Sequence, residues 1–194
     1  MSSWGLLFCL QFLNVLPVTT PMACTHRAFT QSPMTKAQYL LWFDDVVRPT
    51  EPTFRRVPAD KLTWKLTASS FSVGQLLRHI PLALKFSAKV LCNEEVPLRS
   101  LREIFVANRN HSSATVEQAV DELHAARERF IAAVNTLSEE QFQSGLLDTP
   151  QLGRTHYWRY GAFVLEHHIH HLMELHLNLK VLGVPVDTKT LYVG

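Results

Sequence analysis

Apolar residues recur every three or four positions along much of this chain, which is helical spacing. Over residues 36–47, Tyr39, Leu40, Phe43, Val46 and Val47 share one side, and Pro49 and Pro52 end or kink the helix they predict. Helical character resumes towards Val57. Ser72-Val73-Gly74-Gln75 has the form of a capping box, in which the Ser hydroxyl accepts a free backbone N–H and the Gln three residues on returns the bond. Leu76, Leu77, Ile80, Leu84 and Val90 then form an apolar stripe to about Leu91. Pro81 lies inside that helix and is expected to bend it, because it has no N–H for the Leu77 carbonyl. Thr115-Val116-Glu117-Gln118 is a second box. It precedes Val116, Ala119, Val120, Leu123, Ala126, Phe130, Val134 and Leu137, with Glu122, Arg127, Glu128 and Arg129 on a charged face. This predicts a third helix to about Thr136, and Ser138 with Gln141 caps one further turn. The fourth helix is expected over residues 155–182, closed by Gly183 and Pro185. No strand pattern of comparable length is present. Four long helices predict an all-α four-helix bundle, with residues 93–114 as a long crossover loop that spans or covers one end.

Composition supports this reading. The chain has 194 residues, 46% of them hydrophobic, enough for a sizeable core, and only 7 glycines, which suits helices. The net charge of +2 gives no support to nucleic-acid binding, which calls for a basic surplus on one face. Cys9, Cys24 and Cys92 are widely spaced and odd in number, so a disulfide framework is not expected and a reducing, cytoplasmic setting is the default.

Before Met34 the only formal charge is Arg27. The expected division is therefore an N-terminal extension, non-globular or poorly packed, over residues 1–33, and a helical domain over residues 34–194. The apolar run from Leu6 to Leu16 is too short to span a membrane, for which about 20 apolar residues are needed. It has the length of an export-signal core but lacks a preceding Lys or Arg. Pro21 spoils the likeness of Pro21-Met22-Ala23-Cys24 to a lipoprotein cleavage site. Three readings stay open for this segment: a non-globular extension, translation upstream of a start at Met34, or export directed by residues 1–24.

Histidine is the unusual residue: 10 in all, six of them from His156 to His176. His167 and His171 are four apart on the fourth helix, so both imidazoles project from one face about a turn apart. That suits one divalent transition metal, since imidazole favours Zn, Ni, Fe or Cu over Ca or Mg. A catalytic site of this kind usually takes three protein ligands and leaves a further position open. His79, beside Ile80 of the second helix's stripe, is the best third candidate; its competing reading is a hydrogen-bonded core histidine. His168 lies about 100° round the helix from His167. His170 faces nearly the same way as Glu166 and Glu174. His156 and His176 read as solvent-facing or interface residues, and His26, His111 and His124 have no partner pattern.

Three stretches together resemble the DinB-like family, the DinB/YfiT superfamily of metal-binding four-helix bundles. The first is Leu62-Thr63-Trp64-Lys65 followed by Ser70-Phe71-Ser72-Val73-Gly74-Gln75-Leu76-Leu77-Arg78-His79-Ile80. The second is Leu165-Glu166-His167-His168-Ile169-His170-His171, and the third is Leu179-Lys180-Val181-Leu182-Gly183-Val184-Pro185. The likeness spans residues 34–186. It implies a bundle of that type with a metal, commonly Zn or Ni, held by His79, His167 and His171. Relatives include transferases and isomerases that use low-molecular-weight thiols. Where the family usually shows Arg-Gly-Gln after the last ligand, this chain has Leu172-Met173-Glu174. Glu174 thereby stands three residues from His171, within reach of the metal or of a ligand imidazole.

The resulting expectation is a metal-dependent hydrolase or thiol S-transferase acting on a small molecule. The ion would lower the pKa of bound water to ~7 or hold a thiol as thiolate. Glu174 and His170 are the candidate catalytic residues, with Glu166 as a further group able to orient a ligand or relay a proton. Trp64, Phe71, Tyr157 and Trp158 read either as a pocket wall or as ordinary core, and Arg78, Arg154 and Arg159 either as anion contacts or as a solvated face. The alternative is a non-catalytic bundle, metal-binding or acting as a homodimer.

Overall fold

Capping residues set where the helices begin. Thr35, Ser72, Thr115 and Ser138 each accept the backbone N–H three residues on, and Gln38, Gln75, Gln118 and Gln141 return the bond. The computed structural model describes residues 34–96 and 100–192, so the expectation for residues 1–33 lies outside the described residues. The helices are α1 (Lys36–Val47), α2 (Thr50–Phe54), α3 (Val73–Leu91), α4 (Leu101–Arg109), α5 (Val116–Thr136), α6 (Glu139–Ser144), α7 (Tyr157–Val181) and α8 (Thr188–Tyr192). A two-stranded antiparallel hairpin, β1 (Leu146–Thr149) and β2 (Gly153–His156), precedes α7, with Leu146 opposite His156.

The bundle is built from α1, α3, α5 and α7. In it α3 lies against both α5 and α7, and α1 closes the ring by touching α7 and α5. Pairings along the helices fix their directions. Asn93 Nδ2 donates to the Tyr157 hydroxyl at one end of α3, while His79 meets His167 and His171 near the other, so α3 and α7 are antiparallel. Gly74 bonds Ala114, and Arg78 pairs with Glu122 further along, so α3 and α5 run the same way. A parallel neighbour requires the chain to return along the whole of α3, about 28 Å at the α-helical rise. The 93–114 connection makes that journey, and it carries α4, which the sequence pattern did not indicate.

The core is aromatic where α1, α5 and α6 meet. Phe43 stacks on Phe130 at 4.8 Å, and Tyr39 packs against Phe142 at 5.3 Å. The buried Tyr39 hydroxyl donates to the Gly161 carbonyl on α7 at 3.0 Å. Pro81 sits inside α3 without interrupting the helix. The end of α7 follows the sequence expectation: Gly183 adopts φ +75°, and the Gly183 and Val184 N–H groups bond back to Lys180 and Leu179.

Candidate metal centre

The start of α3 is held in place by the backbone. Val73 N–H bonds the Trp64 carbonyl, Gly74 N–H bonds the Leu62 carbonyl, and the Gly74 carbonyl accepts from Ala114. A Cβ on Gly74 would lie 2.7 Å from Ser113 Cβ and 3.1 Å from the Leu62 oxygen, so the 62–74 loop, α3 and the end of the crossover meet this closely only through glycine. His79 follows in the second turn and points into the bundle, 4% exposed.

It meets the α7 pair there. One nitrogen from each of His79, His167 and His171 lies within 4.8 Å of the others. His79 Nε2 is 3.4 Å from His167 Nε2, and the His79 and His171 ring centres are 4.5 Å apart. Phe71, from the loop before α3, stacks on His79 at 5.0 Å and meets His171 in a T-shaped contact at 5.8 Å. Of the four aromatics read as a wall or as core, Phe71 is the one that touches these imidazoles. Trp158 is exposed and stacks on His156, while Tyr157 is buried beside Asn93.

Burial keeps His79 and His167 neutral. Burial, and then the neighbouring His171, His167 and His111, push the His79 pKa down to about 2. Burial, with His171 and His170, lowers His167 to about 4. Neutral imidazoles keep the lone pairs a metal requires. Glu174 Oε2 accepts a hydrogen bond from His171 Nδ1 at 3.0 Å. That bond leaves the His171 Nε2 lone pair free, the tautomer a ligand needs. All three donors are nitrogen, and the buried His79 Nδ1 makes no hydrogen bond within the protein. This donor set fits a borderline transition metal better than Ca or Mg.

The neighbouring histidines have separate places. His168 is buried about 100° round α7 from His167, its Nε2 2.7 Å from Thr50 Oγ1. His170 is exposed. Glu166 faces Arg159 at 3.3 Å, and Arg78 pairs with Glu122, so both of these arginines face carboxylates. His176 departs from the sequence reading, being buried rather than at the surface; burial and then Lys180 lower its pKa, opposed by Asp187. His111 was missed: it arrives at the end of the crossover, 5.7 Å from the His79 ring, with its Nε2 3.0 Å from Asn108 Oδ1. No local spacing reveals this, because the approach is made by tertiary structure.

A cavity of about 500 Å³ opens beside the cluster and is lined by all three histidines. It lies between α3 and α7, with Ile104 and Asn108 of α4 and His111 on a further side. No helix among the described residues is long and apolar enough to cross a membrane.

A fold of this topology with three converging imidazoles defines a histidine-rich four-helix bundle. The family profile of the DinB superfamily matches residues 43–175, and the chain belongs to that superfamily. Among solved structures it is similar to a DinB-like protein, YjoA, from Bacillus subtilis, at 19% identity and TM-score 0.57, covering 77% of this chain and 96% of that one. It is also similar to a DinB-like protein from Bacillus cereus, at 12% identity and TM-score 0.63, covering 79% and 97% respectively. No curated protein matches the chain.

Proposed function

We propose that the chain is a metal-dependent enzyme, a hydrolase or a low-molecular-weight-thiol S-transferase, with a divalent metal, Zn or Ni, held by His79, His167 and His171. The observation that carries this reading is the convergence of three imidazoles from α3 and α7 at the wall of a 500 Å³ cavity. A bundle that used metal only as a staple would gain nothing from a cavity beside it. When bound, such an ion supplies Lewis acidity that turns a weak nucleophile into a strong one near neutral pH. The protein's own groups set the conditions. Glu174 holds the His171 ring in its ligating tautomer and acts as a positioning residue. Phe71 stacks on the His79 ring and meets the His171 ring in a T-shaped contact. His170, exposed on α7 next to His171, is assigned proton exchange with solvent.

The test is elemental analysis and metal titration of the purified chain, of His171→Ala and of Glu174→Gln. The wild type is expected to hold close to one equivalent of Zn or Ni, and His171→Ala close to none. Glu174→Gln should bind about 10–100-fold more weakly, the usual effect of losing a partner that orients a ligand histidine. Equal, near-zero metal in wild type and His171→Ala would remove the ligand assignment. Stoichiometric metal without turnover of any thiol and electrophile pair, or of any ester or amide, would leave the non-catalytic bundle.

A further inference from the structure

The cavity has two unlike ends. At one end are the three histidines. From His79 the wall follows α3 through Ala83 to Ser87 and Lys89, about 15 Å at the helical rise. Across from it, α7 runs back from His171 to Phe163, and Gln151 from the hairpin turn adds to the far end. The stretch between is apolar, built from Ile80, Ala83, Phe163 and Val164.

The far end is polar and unsatisfied. The fully buried Tyr160 hydroxyl lies beside the side chains of Ser87 and Gln151 yet closes no well-formed hydrogen bond, and Gln151 Oε1 is also buried without a partner. Buried polar atoms are normally paired, so the unpaired Gln151 oxygen of a cavity-lining residue, with the unpaired Tyr160 hydroxyl behind it, marks a place that a ligand completes. Charge at this end has one sign. Lys85 and Lys89 both line the cavity, and among the described residues no Asp or Glu does.

We propose that the cavity binds an elongated amphipathic organic anion. Its carboxylate or similar group sits at the Lys85, Lys89, Ser87 and Gln151 end, its apolar body lies along Ala83 and Phe163, and its reacting group is at the histidines. This names the substrate class of the centre proposed above and rests on that reading. The Ser87 hydroxyl donates to the anion, and rotation of the Gln151 amide about its last bond presents the Nε2 hydrogens in place of the stranded oxygen. The two ammonium groups supply the long-range attraction.

The experiment is isothermal titration of the full, chelator-treated chain with three probes that share an eight-carbon body: octanoate, 1-octanol and octyltrimethylammonium. Removing metal first prevents the carboxylate from binding an ion. Octanoate is expected to bind at least tenfold more tightly than either other probe. The double variant Lys85→Gln, Lys89→Gln should bring octanoate to the affinity of 1-octanol and leave 1-octanol unchanged. Ala83→Trp, checked for an unchanged circular dichroism spectrum, should abolish both by filling the trough. Equal affinity for the three probes, or an octanoate preference that survives the lysine changes, overturns the proposal. Metal titration of the untreated chain separates the two readings: charge-selective binding in a chain that takes up no metal sinks the enzyme reading alone, and stoichiometric metal with no selectivity among probes sinks this one alone.

Discussion

His168 makes the acid stability of the metal-free chain a quantity that can be calculated. Its ring is fully enclosed and bonded to Thr50, and burial, followed by His167 and His171, pushes its pKa down to about 3. An exposed histidine titrates near 6.5. Below pH 6.5 the unfolded chain takes up a proton on this imidazole that the folded chain refuses until about pH 3. The contribution to stability is therefore complete above 6.5 and drains away as pH falls towards 3. Each pH unit in that window is worth about 1.4 kcal/mol, so this residue alone should cost about 2 kcal/mol between pH 6.5 and 5. His79 and His167 titrate in the same sense and steepen the total. The comparison that isolates His168 is His168→Gln, which keeps an amide for Thr50 and removes the titration. Urea unfolding of both chelator-treated proteins at pH 7.5, 6.5, 5.5 and 5.0 should give curves of stability against pH that diverge in slope by about 1.4 kcal/mol per unit below 6.5. Parallel curves would refute the reasoning.

Two further outcomes follow from packing. Phe130→Ala removes a fully buried ring stacked on Phe43 and should cost about 3–5 kcal/mol, read from the urea midpoint at unchanged m-value. Gly74→Ala drives a methyl group into Ser113 and towards the Leu62 carbonyl, and should cost about 1–3 kcal/mol by overpacking; an unchanged thermal midpoint would contradict the close approach of these three segments.

The long helices were legible because their signals are local. Ser72 with Gln75, Thr115 with Gln118 and Ser138 with Gln141 mark starts that the structure reproduces, and Gly183 marks a stop. The i, i+4 spacing pointed to His167 and His171 and left His79 as the best third candidate, and the resemblance to the DinB-like family implied the set that the structure brings together. What escaped depends on partners remote in the chain. Each strand of the hairpin is only four residues long, too short for alternation to stand out, and only Leu147 and Thr149 in β1 turn inward. The placement of His111 and Ile104 at the cavity depends on where the crossover lands, which its own composition does not encode.

The parallel run of α3 and α5 has an evolutionary consequence. The strap that must travel back along α3 contributes Ile104, Asn108 and His111 to the cavity but is not one of the four staves that hold the molecule together. Substitutions in this strap can reshape what the protein accepts while Phe43, Phe130 and their neighbours stay untouched, so the same scaffold can be retuned to new small molecules one wall at a time.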